Sequence, residues 1–109
     1  MSKELTKAGL ILKNYRDLDH DGLREQARKL GISPSYLCDI SYGNRNMTPK
    51  VLQQVKVAYK YRCAGNDLSV LASACFDEEL IHRYKLRTHK TDNDNVVLDL
   101  IYIFSGIVV

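Results

Sequence analysis

The sequence predicts an all-α fold, and three observations carry that expectation. Apolar residues recur at spacings of three and four through successive segments, the period of a helix with one buried face. Ser33–Pro34 and Thr48–Pro49 each pair a capping side chain with a proline at the first helical position, where the missing N–H leaves nothing unpaired. Gly31 and Gly43 stand just past periodic runs, where a helix closes readily on a left-handed residue.

The elements follow in order. Residues 3–16 place Leu5, Ala8, Leu12 and Tyr15 on one face with Ile11 beside them, a first helix. Residues 17–22 (DLDHDG) are a polar connector, with Asp21 placed to cap the next helix. A second helix over 22–30 turns Leu23, Ala27 and Leu30 inward and Arg24, Arg28 and Lys29 outward. Ser33 caps a third helix over 34–42, which buries Leu37 and Ile40. Residues 44–47 form a polar loop. Thr48 caps a fourth helix with Val51, Leu52, Val55, Ala58, Tyr59 and Tyr61 on its apolar side, broken at Gly65 and Asn66. A fifth helix begins at Asp67 or Ser69 and continues to about Arg87, burying Leu68, Leu71, Ala72, Cys75, Phe76, Leu80, Ile81 and Tyr84. Residues 89–95 (HKTDNDN) are a polar linker or turn. The tail from Val96 is rich in Val, Ile, Tyr and Phe, which favours a strand, but its apolar run does not alternate and leaves a buried helix open.

A chain of 109 residues is the size of one domain with one core. Its charge is unevenly placed. Residues 1–65 carry twelve Lys/Arg against six Asp/Glu, a balance of +6, and residues 66–109 carry four against seven, a balance of −3. A basic front half suits a polyanion-binding domain, and the acidic, apolar back half is suited to another task. Cys38, Cys63 and Cys75 are odd in number, with no CxxC pair and no Cys/His metal spacing. They read as reduced thiols of a cytoplasmic protein. The N-terminus has no apolar signal-peptide core. The 14-residue apolar tail contains Asp99 and falls short of the roughly 20 residues a membrane span needs. No GxGxxG, GxxxxGK[ST] or HExxH motif occurs. The chain reads as no enzyme, with neither cofactor nor metal. Cys75 and His82, seven residues apart on the fifth helix, read as a coincidence within a packed helix, against a nucleophile pair that would need an activated thiolate and an orienting third group. His20 and His89 read as solvated loop residues, and Lys56, Lys60 and Arg62 as the solvated side of the fourth helix, with the extension of a phosphate track as the alternative.

Residues 23–45, LREQARKLGISPSYLCDISYGNR, carry the functional signal. Two short helices that cross steeply need a small residue at their closest approach, which Ala27 supplies. The turn four residues later needs a positive φ, which Gly31 tolerates. Leu37 and Ile40, ten and thirteen residues after Ala27, fix how the second of the two helices sits. Such a pair can set one helix into the major groove of DNA.

Over residues 5–62, and most closely in EQARKLGISPSYLCDISYGNR followed by TPKVLQQVKVAY, the chain resembles the helix-turn-helix family of Cro and phage repressors, the Xre-like family. The resemblance implies a compact five-helix lambda-repressor-like fold, with the helix-turn-helix DNA-binding domain at 1–65. Residues 66–109 would add an extra C-terminal helix and an apolar tail, strand or helix, as the dimerising part. It implies double-stranded DNA as partner and a homodimer on a palindromic operator, a transcriptional regulator of the repressor type found in phages and mobile elements. Ser33, Pro34, Ser35, Cys38 and Asp39 would face DNA, with Ser35 reaching a base edge directly or through water. Asp39 would accept from cytosine N4, or stand as a solvated or intrahelically paired acid. Tyr36 would reach a phosphate through its hydroxyl, or pack against the second helix. Arg24, Asn44, Arg45 and Asn46 match backbone-contacting positions. The chain departs from the family pattern at Gln26, where an apolar residue is usual. It departs at Ser41, where Glu often pairs with an Arg of the first helix, and at Leu23, where a polar residue often caps or touches phosphate. A protein-interaction module, antitoxin- or adaptor-like, is the alternative the basic helices and apolar tail allow.

Overall fold

The computed structural model describes residues 4–105. Among them it has seven helices and no strand: α1 Lys7–Leu18, α2 Leu23–Leu30, α3 Pro34–Ser41, α4 Pro49–Ala58, α5 Gly65–Ser73, α6 Glu78–Thr88 and α7 Asn93–Ser105. Local polar chemistry sets four of the starts. The side chains of Thr6, Ser33, Thr48 and Asp77 accept from the backbone N–H of Gly9, Tyr36, Val51 and Leu80, satisfying donors that have no helical partner. Asp21 does not cap α2. Gly22 holds that position without a side-chain bond, while the Asp21 carboxylate pairs with Lys29.

Several expectations are corrected. The first helix begins at Lys7, behind its Thr6 cap, and Lys3 lies outside the described residues. The single fifth helix is two, α5 and α6, separated at 74–77 where Asp77 caps a new start. The tail from Val96 is helical through Ser105, and residues 106–109 lie outside the described residues. Its buried side chains, Val96, Val97, Leu100 and Ile101, follow the i, i+1, i+4, i+5 pattern of a helix face, and a strand would turn Val96 and Val97 to opposite sides. Tyr61 and Ala58 are not core: Tyr61 is 91% exposed beyond the end of α4.

The buried side chains form one cluster, from Ala8, Leu12 and Tyr15 through Leu37, Leu52 and Val55 to Leu68, Leu71, Val96 and Leu100. The helix after the polar linker is therefore packed into the same core as the front half, lying against α4 and α5. α6 contributes no fully buried residue and leans on the cluster through Leu80, Ile81 and Tyr84.

Two unusual contacts seat α1. A Cβ at Gly9 would stand 2.1 Å from the Ser41 carbonyl oxygen, so only glycine permits this approach of α1 to α3. Thr6 donates to that same carbonyl from its N–H and its Oγ1, at 3.0 and 3.1 Å. Gln26, fully buried, donates from Nε2 to the Leu12 carbonyl at 2.8 Å and to the Tyr59 hydroxyl at 3.2 Å, and accepts from Arg16 at 3.2 Å. The Ser41 hydroxyl turns back to the Leu37 carbonyl within α3, and Arg16 of α1 is received by Gln26 on α2.

Candidate nucleic-acid interface

α2 packs against α3, and Ala27 of α2 is fully buried. Gly31 closes α2 with φ +69°, and the Gly31 and Ile32 amides donate back to the Arg28 and Ala27 carbonyls. Ser33 Oγ accepts from Tyr36 N at 3.1 Å, and Pro34 begins α3. Leu37, Ile40 and Ser41 are the buried side of this helix. At about 100° per residue, Ser35, Cys38 and Asp39 turn to the other side, and Pro34 joins them at the exposed first turn. Pro34 and Ser35 are exposed, Cys38 and Asp39 half-buried.

Two cations flank this strip. On one side a shallow depression is lined by Gly22, Leu23, Arg24, Pro34, Ser35 and Cys38, which puts Arg24 beside the start of α3. On the other side lies the 43–46 loop. Gly43 reverses the chain with φ +76°, and the amides of Asn44 and Arg45 both donate to the Asp39 carbonyl, at 2.9 and 3.4 Å. The Arg45 guanidinium lies over the Tyr36 ring, 4.7 Å from its centroid, and the Tyr36 hydroxyl donates to the Asn46 carbonyl at 3.1 Å. Of the residues singled out in the sequence, Pro34, Ser35, Cys38 and Asp39 form the strip, Arg24 lies at its start, and Asn44, Arg45 and Asn46 lie in the loop that follows, while Ser33 Oγ is spent on its cap. The hydroxyl proton of Tyr36 is used within the protein, and its ring packs against the core cluster rather than standing clear. Leu23 is partly buried against that cluster, an apolar seat for the start of α2.

The charge around the strip is selective. Arg28 pairs with Glu25, and Lys29 with Asp21 and Asp19. Arg62 pairs with Asp19 at 2.6 Å and holds its carboxyl below the usual range. Among the described residues, neither Arg24 nor Arg45 is in an ion pair. The charge of the two cations bordering α3 is therefore not offset by an ion pair among the described residues.

Burial pushes the Cys63 and Cys75 thiols up, to about 11 and about 12, the direction opposite to that of an activated nucleophile. No group of three or more His, Cys, Asp or Glu among the described residues is placed to hold a metal ion. No helix among them is long and apolar enough to cross a membrane. Sequence reasoning missed the stack of Arg45 on Tyr36 and the burial of Met47 at the end of the loop. The stack joins residues nine apart across a turn, beyond any helical period. Met47 could have been found as the one apolar residue between Asn46 and the Thr48 cap.

Comparison of the chain with protein-family models, with curated proteins and with solved structures returns no match.

Proposed function

We propose that this chain is a sequence-specific DNA-binding transcriptional regulator that sets α3 into the major groove. One observation carries the reading. The outward strip of a short, capped helix, Pro34, Ser35, Cys38 and Asp39, runs between two unpaired arginines, Arg24 and Arg45. Short polar side chains in the middle suit base edges, and cations at both margins suit the phosphates that border a groove. The resemblance to Cro and phage repressors supports the same reading, and with it repression by occupying an operator.

A single α3 touches few base pairs. A homodimer on a palindromic operator would present two copies about one helical turn apart. The exposed apolar side chains at the end of α7, Tyr102, Ile103 and Phe104, support dimerisation through the C-terminal part. They equally favour a second reading, in which that patch takes a different protein, as an antitoxin or adaptor would.

Selection from random duplex DNA, followed by anisotropy on the selected sequence at several salt concentrations, tests the proposal. The expected result is a palindromic consensus bound roughly 10³-fold tighter than unrelated duplex. Ser35→Ala should change the preference at one base pair. Arg45→Ala should weaken all duplexes alike and lower the salt slope by about one. No enrichment, with weak uniform binding, would reject the DNA reading in favour of a protein partner.

A further inference from the structure

Resting on that reading, we propose that Tyr36 is a positioning residue that presents the Arg45 guanidinium and the 43–46 loop to a DNA phosphate, and does not itself ligate the phosphate. The ring of Tyr36 is half-buried and packs against the core cluster. From that seat it acts on the loop twice. Its hydroxyl donates to the Asn46 carbonyl, and its face carries the Arg45 guanidinium. The rest of the loop is pinned as well. Asn44 and Arg45 donate to Asp39, a Cβ at Gly43 would press on Thr6 at 2.9 Å, and Met47 is buried at the far end.

A stacked guanidinium covers only one of its faces. Its N–H edge remains available, and that planar fork matches two phosphate oxygens. An arginine already held in plane loses less rotamer freedom on binding, so the stack acts as preorganisation. Arg45 has no ion-pair partner among the described residues to compete for the fork. A tyrosine hydroxyl committed to a carbonyl would have to break that bond before donating to phosphate.

The test uses the full chain and three variants: Tyr36→Leu, which removes ring and hydroxyl; Tyr36→Phe, which keeps the ring; and Arg45→Lys, which keeps the charge and loses the planar stack. Without DNA, proton–nitrogen NMR of the Arg45 side chain should show Hε shifted upfield by the ring, in the parent and in Tyr36→Phe but not in Tyr36→Leu. On the selected duplex, Tyr36→Leu should bind roughly tenfold more weakly. Its salt slope should fall by about one, as it does for Arg45→Ala, and adding Arg45→Ala should weaken it little further. Tyr36→Phe should keep the slope. Arg45→Lys, a change on the exposed loop that leaves the core intact, should lose affinity although its charge is unchanged. A parental slope in Tyr36→Leu, a slope lost in Tyr36→Phe, or parental affinity in Arg45→Lys would each overturn the assignment. An unshifted Arg45 signal in the parent would overturn the positioning alone, whereas a parent that selects no duplex would remove the DNA reading and the phosphate with it.

Discussion

Gln26 joins three helices through one amide. Its carbonyl oxygen takes Arg16 from α1, and its nitrogen serves the Leu12 carbonyl of α1 and the Tyr59 hydroxyl just past α4. α2 supports α3, so whatever fixes α2 also fixes the angle of the strip that Arg24 and Arg45 border. Leucine at this position would suit an apolar interior but would strip the Tyr59 hydroxyl and the Arg16 guanidinium of this partner, while the Leu12 carbonyl keeps its bond within α1. Gln26→Leu should therefore lower stability by about 1–3 kcal/mol, read as a reduced urea midpoint at unchanged slope. An unchanged midpoint would mean that the better burial of leucine offsets the lost bonds. The residue types around the site were legible because their reasons are local: a small residue where two helices touch, glycine where φ is positive, serine and proline where a helix begins. The partners of Gln26 were not legible. They lie 10, 14 and 33 residues away, and only the packing of α1 and α4 on α2 brings them together.

At the scale of elements, the division between α5 and α6 shows where periodicity misleads. Leu68, Leu71, Ala72, Cys75, Phe76, Leu80, Ile81 and Tyr84 keep helical spacing across the break, because both helices turn an apolar side to one cluster. The contrary signal was present in Asp77 followed by Glu78 and Glu79, a cap and an acidic first turn inside an apolar run. Asp77→Ala should lower stability by about 1 kcal/mol. Hydrogen exchange should quicken at the first turn of α6 and not in α3. Equal protection throughout would show that packing alone starts the helix. In α7 the β-branched composition pointed to a strand, but burial against α4 and α5 decides the outcome. Composition is a weak guide wherever tertiary contacts choose the conformation.

The whole molecule is tied by ion pairs at its margins, and these set its pH dependence. Arg62 holds the Asp19 carboxyl low, and Lys90, with help from Tyr84, does the same to Asp99. A carboxyl lowered on folding contributes stability that is present above its unfolded value, about 3.9, and is lost as pH falls through the folded value. Lys90 is raised by Asp99, so its contribution is present below the ordinary lysine value and lost as pH rises through the folded one. The urea midpoint should therefore be flat from about pH 5 to 8 and fall on both sides, with the buried Cys63 and Cys75 thiols, raised on folding, opening the alkaline limb before Lys90. Asp99→Asn should make the acid limb shallower. An acid limb as steep as the parent's would show that the Lys90 pair carries none of it.

The fold also constrains how a homodimer can be tested. Removing residues 88–109 would discard Val96, Val97, Leu100 and Ile101, all of them buried in the monomer. Each buried aliphatic side chain contributes about 1.5–3 kcal/mol, so the four together reach about 6 kcal/mol or more, comparable with the whole stability of a small domain. The truncated chain should lose cooperative unfolding, and its failure to dimerise would say nothing about the interface. Ile103 is the better probe, because it is 58% exposed on a helix already anchored by those four residues. Phe104 is less suitable, since its ring lies 5.7 Å from that of Phe76. If α7 carries the proposed dimer interface, Ile103→Asp should unfold as the parent does, yet sediment as a monomer where the parent sediments as a dimer. Its affinity for the selected duplex should drop far more than its affinity for random duplex, because the proposed specific complex uses two half-sites. A variant that stays dimeric would move the interface away from α7 and toward the exposed Leu10 and Leu18 of α1.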